Sequence, residues 1–277
     1  MPELPDVEAF REVLASCAQG RTVRGVEVRD AGVLHGVSAA RLRRAVEGRT
    51  FAAPERRGKW LLAPLDDGSP TLLLHFGMTG SLVCCRPEDP IAPHDRVLFA
   101  VPPDRQLRYR DQRKLQGLWL AAGPDDPVLA RALAHQGPDA LSVDRGAFDS
   151  ALGHRRGGLK SALTDQSVLA GLGNLLADEI LWRARLHPTD RAGALTDAER
   201  ARLYRSMRRT LRSAVKAGRV PPDRGWLTGH RDDREPACPR CGTALHRDRV
   251  AGRGTVWCPR CQPPPDTRRR PRERQAG

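Results

Sequence analysis

The sequence predicts an α+β chain of several domains. A β-rich first half is led by one helix, a helical second half follows, and a small metal-dependent hairpin comes last. Three observations carry this reading. Short apolar or alternating runs recur between residues 22 and 121 with turn residues between them. Helical periodicity takes over from about residue 142 to 217. Two Cys-x2-Cys pairs come after it.

Taken in order, the first element is a helix over 6–20, with Val7, Phe10, Val13, Leu14 and Cys17 on one face, Asp6 as N-cap and Gly20 as stop. "TVRGVEVRD" alternates as a strand does, and "SAARLRRAVEG" reads as a short helix. "KWLLAPL", "TLLLHFG", "SLVCC", "RVLFAV", "RQLRYRD" and "LQGLWLA" are strand candidates at regular spacing, the pattern of a sandwich or a barrel. These elements define a domain over 1–121. Residues 122–141, rich in Pro, Gly and Asp, read as a linker. A helical domain is expected over 142–232. Its clearest helix has Thr196 and Glu199 as a capping box and Leu203, Met207, Leu211 and Val215 as an apolar stripe. A metal module is expected over 233–262 and a disordered basic tail over 263–277.

Charge narrows the function. The chain has 47 Lys+Arg against 33 Asp+Glu among 277 residues, a net charge of +14. Such an excess repels itself and attracts a polyanion, nucleic acid first. The start lacks the basic lead and apolar segment of a signal peptide, and no apolar run reaches a membrane span. The expectation is a cytoplasmic protein, a monomer, with no membrane partner. Its cysteines are then not expected to form disulfides. Cys17, Cys84 and Cys85 read as buried apolar residues without a reactive context.

Cys238, Cys241, Cys258 and Cys261 are different. Two thiolates three residues apart can converge on one ion, and two such pairs complete a tetrahedral shell. All four positions are filled by protein, so one structural Zn²⁺ is expected, with no place for a catalytic water. The 16 residues between the pairs should form a β-hairpin turning around "AGRG", with Arg253 near the turn.

Five separated segments, "PELPDVE", "RRGKWLL", "HFGMTGSL", "DQSVLAGLGNLLADEILWRARLHP" and "GRGTVWCPRCQ", together resemble the formamidopyrimidine-DNA glycosylase / endonuclease VIII family over about residues 2–262. The resemblance implies an N-terminal β-sandwich, a helix-two-turns-helix domain and a zinc-finger hairpin. It implies a bifunctional base-excision repair enzyme, a DNA glycosylase and abasic-site lyase acting on double-stranded DNA with damaged bases or abasic sites. A nucleoid-associated place in the bacterial cytoplasm would follow from DNA binding.

The same resemblance implies roles for particular residues. Pro2, freed by removal of the start methionine, is the nucleophile. Its α-amino group titrates near pH 8, so part of it is neutral at pH 7. A secondary amine leaves an iminium ion, which promotes β- and then δ-elimination. Glu3 is the acid/base, Lys59 reaches the lesion's phosphate from a hairpin end, and Arg253 clamps phosphates from the zinc hairpin. His75 is a phosphate or substrate-region contact. Met78 fills the gap left by the flipped nucleotide together with Arg113, and Asn174 contacts DNA phosphate at a helix start.

Three departures from the family pattern bear on substrate choice. Asp6 stands where relatives usually carry Glu. Leu115 stands where an aromatic usually completes the void-filling triad. The connector from the long helix to Cys238 shows no match to the loop that closes over 8-oxoguanine. These favour an endonuclease VIII-like or broader lesion preference. Two competing readings are a non-catalytic damaged-DNA-binding paralogue and a zinc-hairpin transcription regulator. The second lacks a groove-reading helix tied to the metal site.

Overall fold

The computed structural model describes residues 1–264, in two compact units, 1–135 and 136 onward. Most of the basic tail expected over 263–277 lies outside the described residues. Among the described residues no helix is long and apolar enough to cross a membrane.

The first unit begins with α1 (Leu4–Ala18), β1 (Gly25–Val28) and α2 (Ala39–Val46). The strands β2 (Glu55–Arg57), β3 (Trp60–Pro64), β4 (Thr71–His75), β5 (Ser81–Cys85), β6 (Asp95–Val101), β7 (Arg105–Arg110) and β8 (Leu118–Ala121) follow. They form two four-stranded sheets, in the orders β1-β6-β7-β5 and β2-β3-β4-β8, with antiparallel pairing throughout. The choice between sandwich and barrel is settled as a sandwich. Its core joins Leu61 and Leu74 of one sheet to Val97, Phe99 and Leu107 of the other, with Val7 and Leu14 of α1 in the same cluster.

Two expectations about α1 need correction. The helix starts at Leu4, and its N-cap is Glu3, with Pro5 in the first turn. Asp6 is the third helical residue of a capping box and accepts the Glu3 backbone N–H at 2.9 Å. Proline needs no intrahelical N–H partner in the first turn, so Pro5 is accommodated as the second helical residue. The last turn of α1 packs against β5, and Cys17 and Cys84 are disulfide-bonded, with Cα atoms 5.9 Å apart. The reading of these two as lone apolar cysteines is therefore overturned. They are 67 positions apart, and only the packing of helix on strand brings them together. The stretch read as a linker carries a short helix, α3 (Pro127–Leu133), started by an Asp126 cap.

The second unit contains α4 (Arg145–Gly153), α5 (Leu159–Thr164), α6 (Asn174–Ala184) and α7 (Asp197–Lys216), then the hairpin β9 (His246–Val250) and β10 (Arg253–Trp257). The Thr196/Glu199 capping box forms as expected, and Leu203, Met207 and Leu211 are buried. A separate small cluster holds Trp182, Leu227, Leu245 and Val256 around Cys238 and Cys258.

Candidate active site, phosphate contacts and metal centre

In the first unit the sequence-predicted residues lie just before α1, in the turn between β2 and β3, at and after the end of β4, and after β7. Glu3 is fully buried, and its backbone is held by Asp6. Pro2 precedes it directly, just before the helix start. From the second turn of α1, Glu8 accepts from Arg56 Nε at 2.8 Å, and Arg56 Nη1 donates to the Gly58 carbonyl at 3.0 Å. Gly58 and Lys59 form the two-residue turn between β2 and β3, and Gly58 takes φ +58° there. Thus the helix that carries Pro2 also braces the turn that carries Lys59.

Trp60, next in the chain, pairs directly with His75 across β3 and β4. Burial, assisted by the nearby Lys59 ammonium, lowers the His75 pKa to about 4. His75 is therefore a neutral imidazole at pH 7. Its Nδ1 accepts the Gly77 N–H at 3.1 Å, which leaves Nε2 to carry the proton and act as donor.

Met78 follows on a turn closed by Gly80 N to Phe76 O at 2.7 Å. A Cβ at Gly80 would lie 2.5 Å from that same carbonyl, so only glycine fits. Met78 is 41% exposed and Leu115 49% exposed, unusual for large apolar side chains. Arg113 Nη1 lies 3.0 Å from Met78 Sδ, so two members of the expected triad meet. A residue that sequence reading missed holds them. The buried Asp111 accepts from Thr79 Oγ1 at 2.6 Å and from Arg113 N at 3.1 Å, joining the Met78 turn to the Arg113 loop.

In the second unit Asn174 and Arg253 come together. Ala251 and Gly252 both take positive φ in the hairpin turn, so Arg253 opens β10. The next carbonyl, Gly254 O, accepts from Asn174 Nδ2 at 2.9 Å, Arg231 Nη2 at 2.7 Å and Lys160 Nζ at 3.1 Å. Beneath it lies a buried ion network that the sequence reading also missed. Asp178 receives Lys160 Nζ on one oxygen and Arg231 Nη1 on the other, both at 2.6 Å, and its second oxygen also accepts Val256 N at 3.2 Å. Burial pushes the Asp178 carboxyl up and the Lys160 ammonium down, and their mutual attraction opposes both shifts. One signal was available: Asp178 and Glu179 are the two charges in the mostly apolar run "NLLADEILW", with Asp178 one turn after Asn174.

The four hairpin cysteines place their Sγ atoms within 4.8 Å of one another. Separations are 3.9 Å for Cys238–Cys261, 3.5 Å for Cys241–Cys258 and 3.6 Å for Cys241–Cys261. A tetrahedron of sulfurs about 2.3 Å from Zn²⁺ has edges near these lengths. Trp182 Nε1 donates to Cys238 Sγ at 3.3 Å, a contact suited to a thiolate. The donor set fits one structural zinc ion held by Cys238, Cys241, Cys258 and Cys261. The hairpin's own core is small, and a structural zinc contributes roughly 10–16 kcal/mol in such modules. A strong chelator is therefore expected to remove amide-exchange protection from β9 and β10 while α6 and α7 keep theirs. Hydrogen exchange followed by mass spectrometry checks this.

Comparisons with known proteins cover almost the whole chain. Three family models match: the formamidopyrimidine-DNA glycosylase N-terminal domain over residues 1–118, its H2TH domain over 136–221, and a zinc finger found in FPG and IleRS over 236–264. A formamidopyrimidine-DNA glycosylase from Symbiobacterium thermophilum is 40% identical, over 96% of this chain and 90% of that protein. One from a Parafrankia strain is 38% identical, over 96% and 99%. Among solved structures, the Lactococcus lactis Fpg in complex with abasic-site DNA aligns with a TM-score of 0.84 at 28% identity, covering 95% of this chain and all of that one. A MutM complex with DNA containing carbocyclic 8-oxo-G aligns with the same score at 29% identity. The sandwich, the helical unit and the four-cysteine hairpin thus recur in one order in these relatives, and the chain belongs to the formamidopyrimidine-DNA glycosylase family.

Proposed function

We propose that this chain is a base-excision repair enzyme, a DNA glycosylase and abasic-site lyase that uses Pro2 as nucleophile. The observation that carries the reading is the start of α1, where Pro2 stands directly before a buried Glu3 whose backbone is held by Asp6. Membership of the family supports it. The reaction requires cleavage of Met1, which frees the Pro2 nitrogen. That nitrogen attacks C1′ of the damaged nucleotide, the bond from C1′ to the base breaks and the base leaves with a proton; the nitrogen then loses its own proton and its lone pair opens the C1′–O4′ bond. Glu3 supplies a proton to the sugar oxygen or the base. The resulting iminium cannot discharge by losing an N–H proton. It draws electrons from the C2′–H bond instead, and the 3′-phosphate leaves.

The remaining residues take roles consistent with their settings. Lys59, on its braced turn, and Arg253, opening β10, are cations suited to phosphates. His75 donates from Nε2. Met78, exposed beside Arg113, is suited to fill the space of a flipped nucleotide, with Leu115 as a second apolar group. Asn174 ties its amide to the Gly254 carbonyl and so supports Arg253 as well as any phosphate contact of its own. A paralogue that binds without cutting would not need the buried carboxylate beside Pro2.

For the substrate, the names of the most similar relatives support ring-opened and oxidised purines. A second reading, a broader endonuclease VIII-like preference, is supported by the connector between α7 and Cys238. It carries a single short 3-10 turn, Leu227–His230. Single-turnover excision on a panel of duplexes decides between them. The purine reading expects formamidopyrimidine and 8-oxoguanine to be released faster than oxidised pyrimidines. Equal or inverted rates would favour the broader preference.

A further inference from the structure

Helix α7 holds a feature that the lesion site does not use. From Arg200 to Arg219 the sequence has eight cations and no carboxylate. Three of them have structural tasks. Arg200 pairs with Asp197 and donates to Leu195 O, Arg202 Nε donates to Ala184 O at 2.7 Å, and Arg208 donates to Leu141 O. Arg205, Arg209, Arg212, Lys216 and Arg219 are all exposed. None of these five makes an ion pair among the described residues.

Their spacing within the helix is the second observation. Arg205, Arg209, Arg212 and Lys216 stand at steps of four, three and four. At about 100° per residue they fall within an arc of roughly 60°. That arc lies opposite the buried face formed by Leu203, Met207, Thr210, Leu211 and Ala214. Four like charges on one line oppose the helix, by roughly 0.2–0.5 kcal/mol for each i,i+3 or i,i+4 pair. A solvated face normally mixes both signs. The helix tolerates this line because a capping box and a buried stripe hold it elsewhere.

We propose that Arg205, Arg209, Arg212 and Lys216 form a phosphate track that binds the backbone of undamaged duplex DNA without reading its sequence. The inference rests on the DNA reading given above. The track spans about 16 Å, or roughly five base-pair steps of duplex. It lies on a different element from Asn174 and Arg253, so it adds contacts that need no flipped base. Its task is non-specific retention on DNA between lesions.

The test replaces the four together: R205Q/R209Q/R212Q/K216Q. Glutamine keeps helix propensity, and circular dichroism with thermal melting verifies the fold. Affinity for an undamaged 20-base-pair duplex is measured from about 50 to 200 mM salt. The expected result is a log–log salt slope shallower by about 2–4, from a loss of about 0.9 per phosphate contact. Single-turnover strand cleavage of a pre-bound abasic duplex at low salt should stay within about twofold, because no track residue touches the reacting atoms. A lysine set, R205K/R209K/R212K, should keep the wild-type slope. If the glutamine variant keeps the wild-type slope while the wild type binds duplex, the track is overturned and the DNA reading stands. If the wild type itself shows no salt-dependent duplex binding, the DNA reading fails and takes the track with it.

Discussion

With Pro2 replaced by Gln, or with an uncleaved extension before it, borohydride trapping on abasic-site duplex is expected to fall by at least about 10³-fold. Affinity for the same duplex should change by less than about twofold, because the amine contributes to the reaction far more than to phosphate binding. The physical reason is specific to a secondary amine, whose adduct is a permanent cation and a strong electron sink. Few other amines could substitute. The chain has four lysines, at 59, 114, 160 and 216. Lys160 is fully buried in an ion network, and Lys114 is 2.9 Å from the Asp30 carboxylate. Unchanged trapping in the Pro2 variant would sink the assignment and direct attention to Lys59. Intact-mass analysis of the active protein is the companion measurement, since retained Met1 would place the proline nitrogen in an amide.

The second large effect is expected at Asp178→Ala. The variant leaves Lys160, wholly buried, facing Arg231 with no carboxylate between them. Breaking a buried pair by removing one partner costs about 3–5 kcal/mol. Urea denaturation of the second unit should show that loss as a lower midpoint. The same change removes acceptors for Val256 N and for both cations that converge on Gly254 O. Arg253 is the residue just before Gly254, so lesion-duplex affinity should fall as well. A double variant, Lys160→Met with Asp178→Leu, separates the two effects. It removes both charges of the pair, so stability should return in part while the hairpin anchor stays lost. If the single variant keeps wild-type stability and binding, the network has no positioning role.

These two expectations differ in how they can be reached. Pro2 was reached through the resemblance of "PELPDVE" and four other segments to the family, and that resemblance is carried by short local motifs. The zinc ligands are equally local: two Cys-x2-Cys pairs bring thiolates together whatever the rest of the fold does. The sandwich strands were legible for a related reason. Alternating and apolar runs bounded by turn residues report which face is buried without naming the partner.

Asp178 was not legible in that way. Its function comes from Lys160, eighteen positions earlier, and Arg231, fifty-three later. Nothing in local periodicity couples those positions. The bracing of the Lys59 turn by Glu8 and Arg56, and the joining of the Met78 and Arg113 loops by Asp111, are of the same kind. The Cys17–Cys84 bond makes the limit plainest. The expected cytoplasmic setting argued against disulfides, yet α1 and β5 set the two Cα atoms 5.9 Å apart.

The helix start shows the boundary between the two levels within six residues. The sequence determined that a capped helix begins near here, and its pattern put the cap at Asp6 with Pro2 and Glu3 before the helix. Only the tertiary structure decided that Glu3 is the cap itself, buried to zero exposure, and that Asp6 holds it from the third helical position. Propensity and spacing act over a few neighbouring residues, so the chain carries them openly. Burial, ion networks and cross-links depend on which distant surfaces meet, and that is settled by how each unit packs: sheets and a helix in the first, helices and the hairpin in the second.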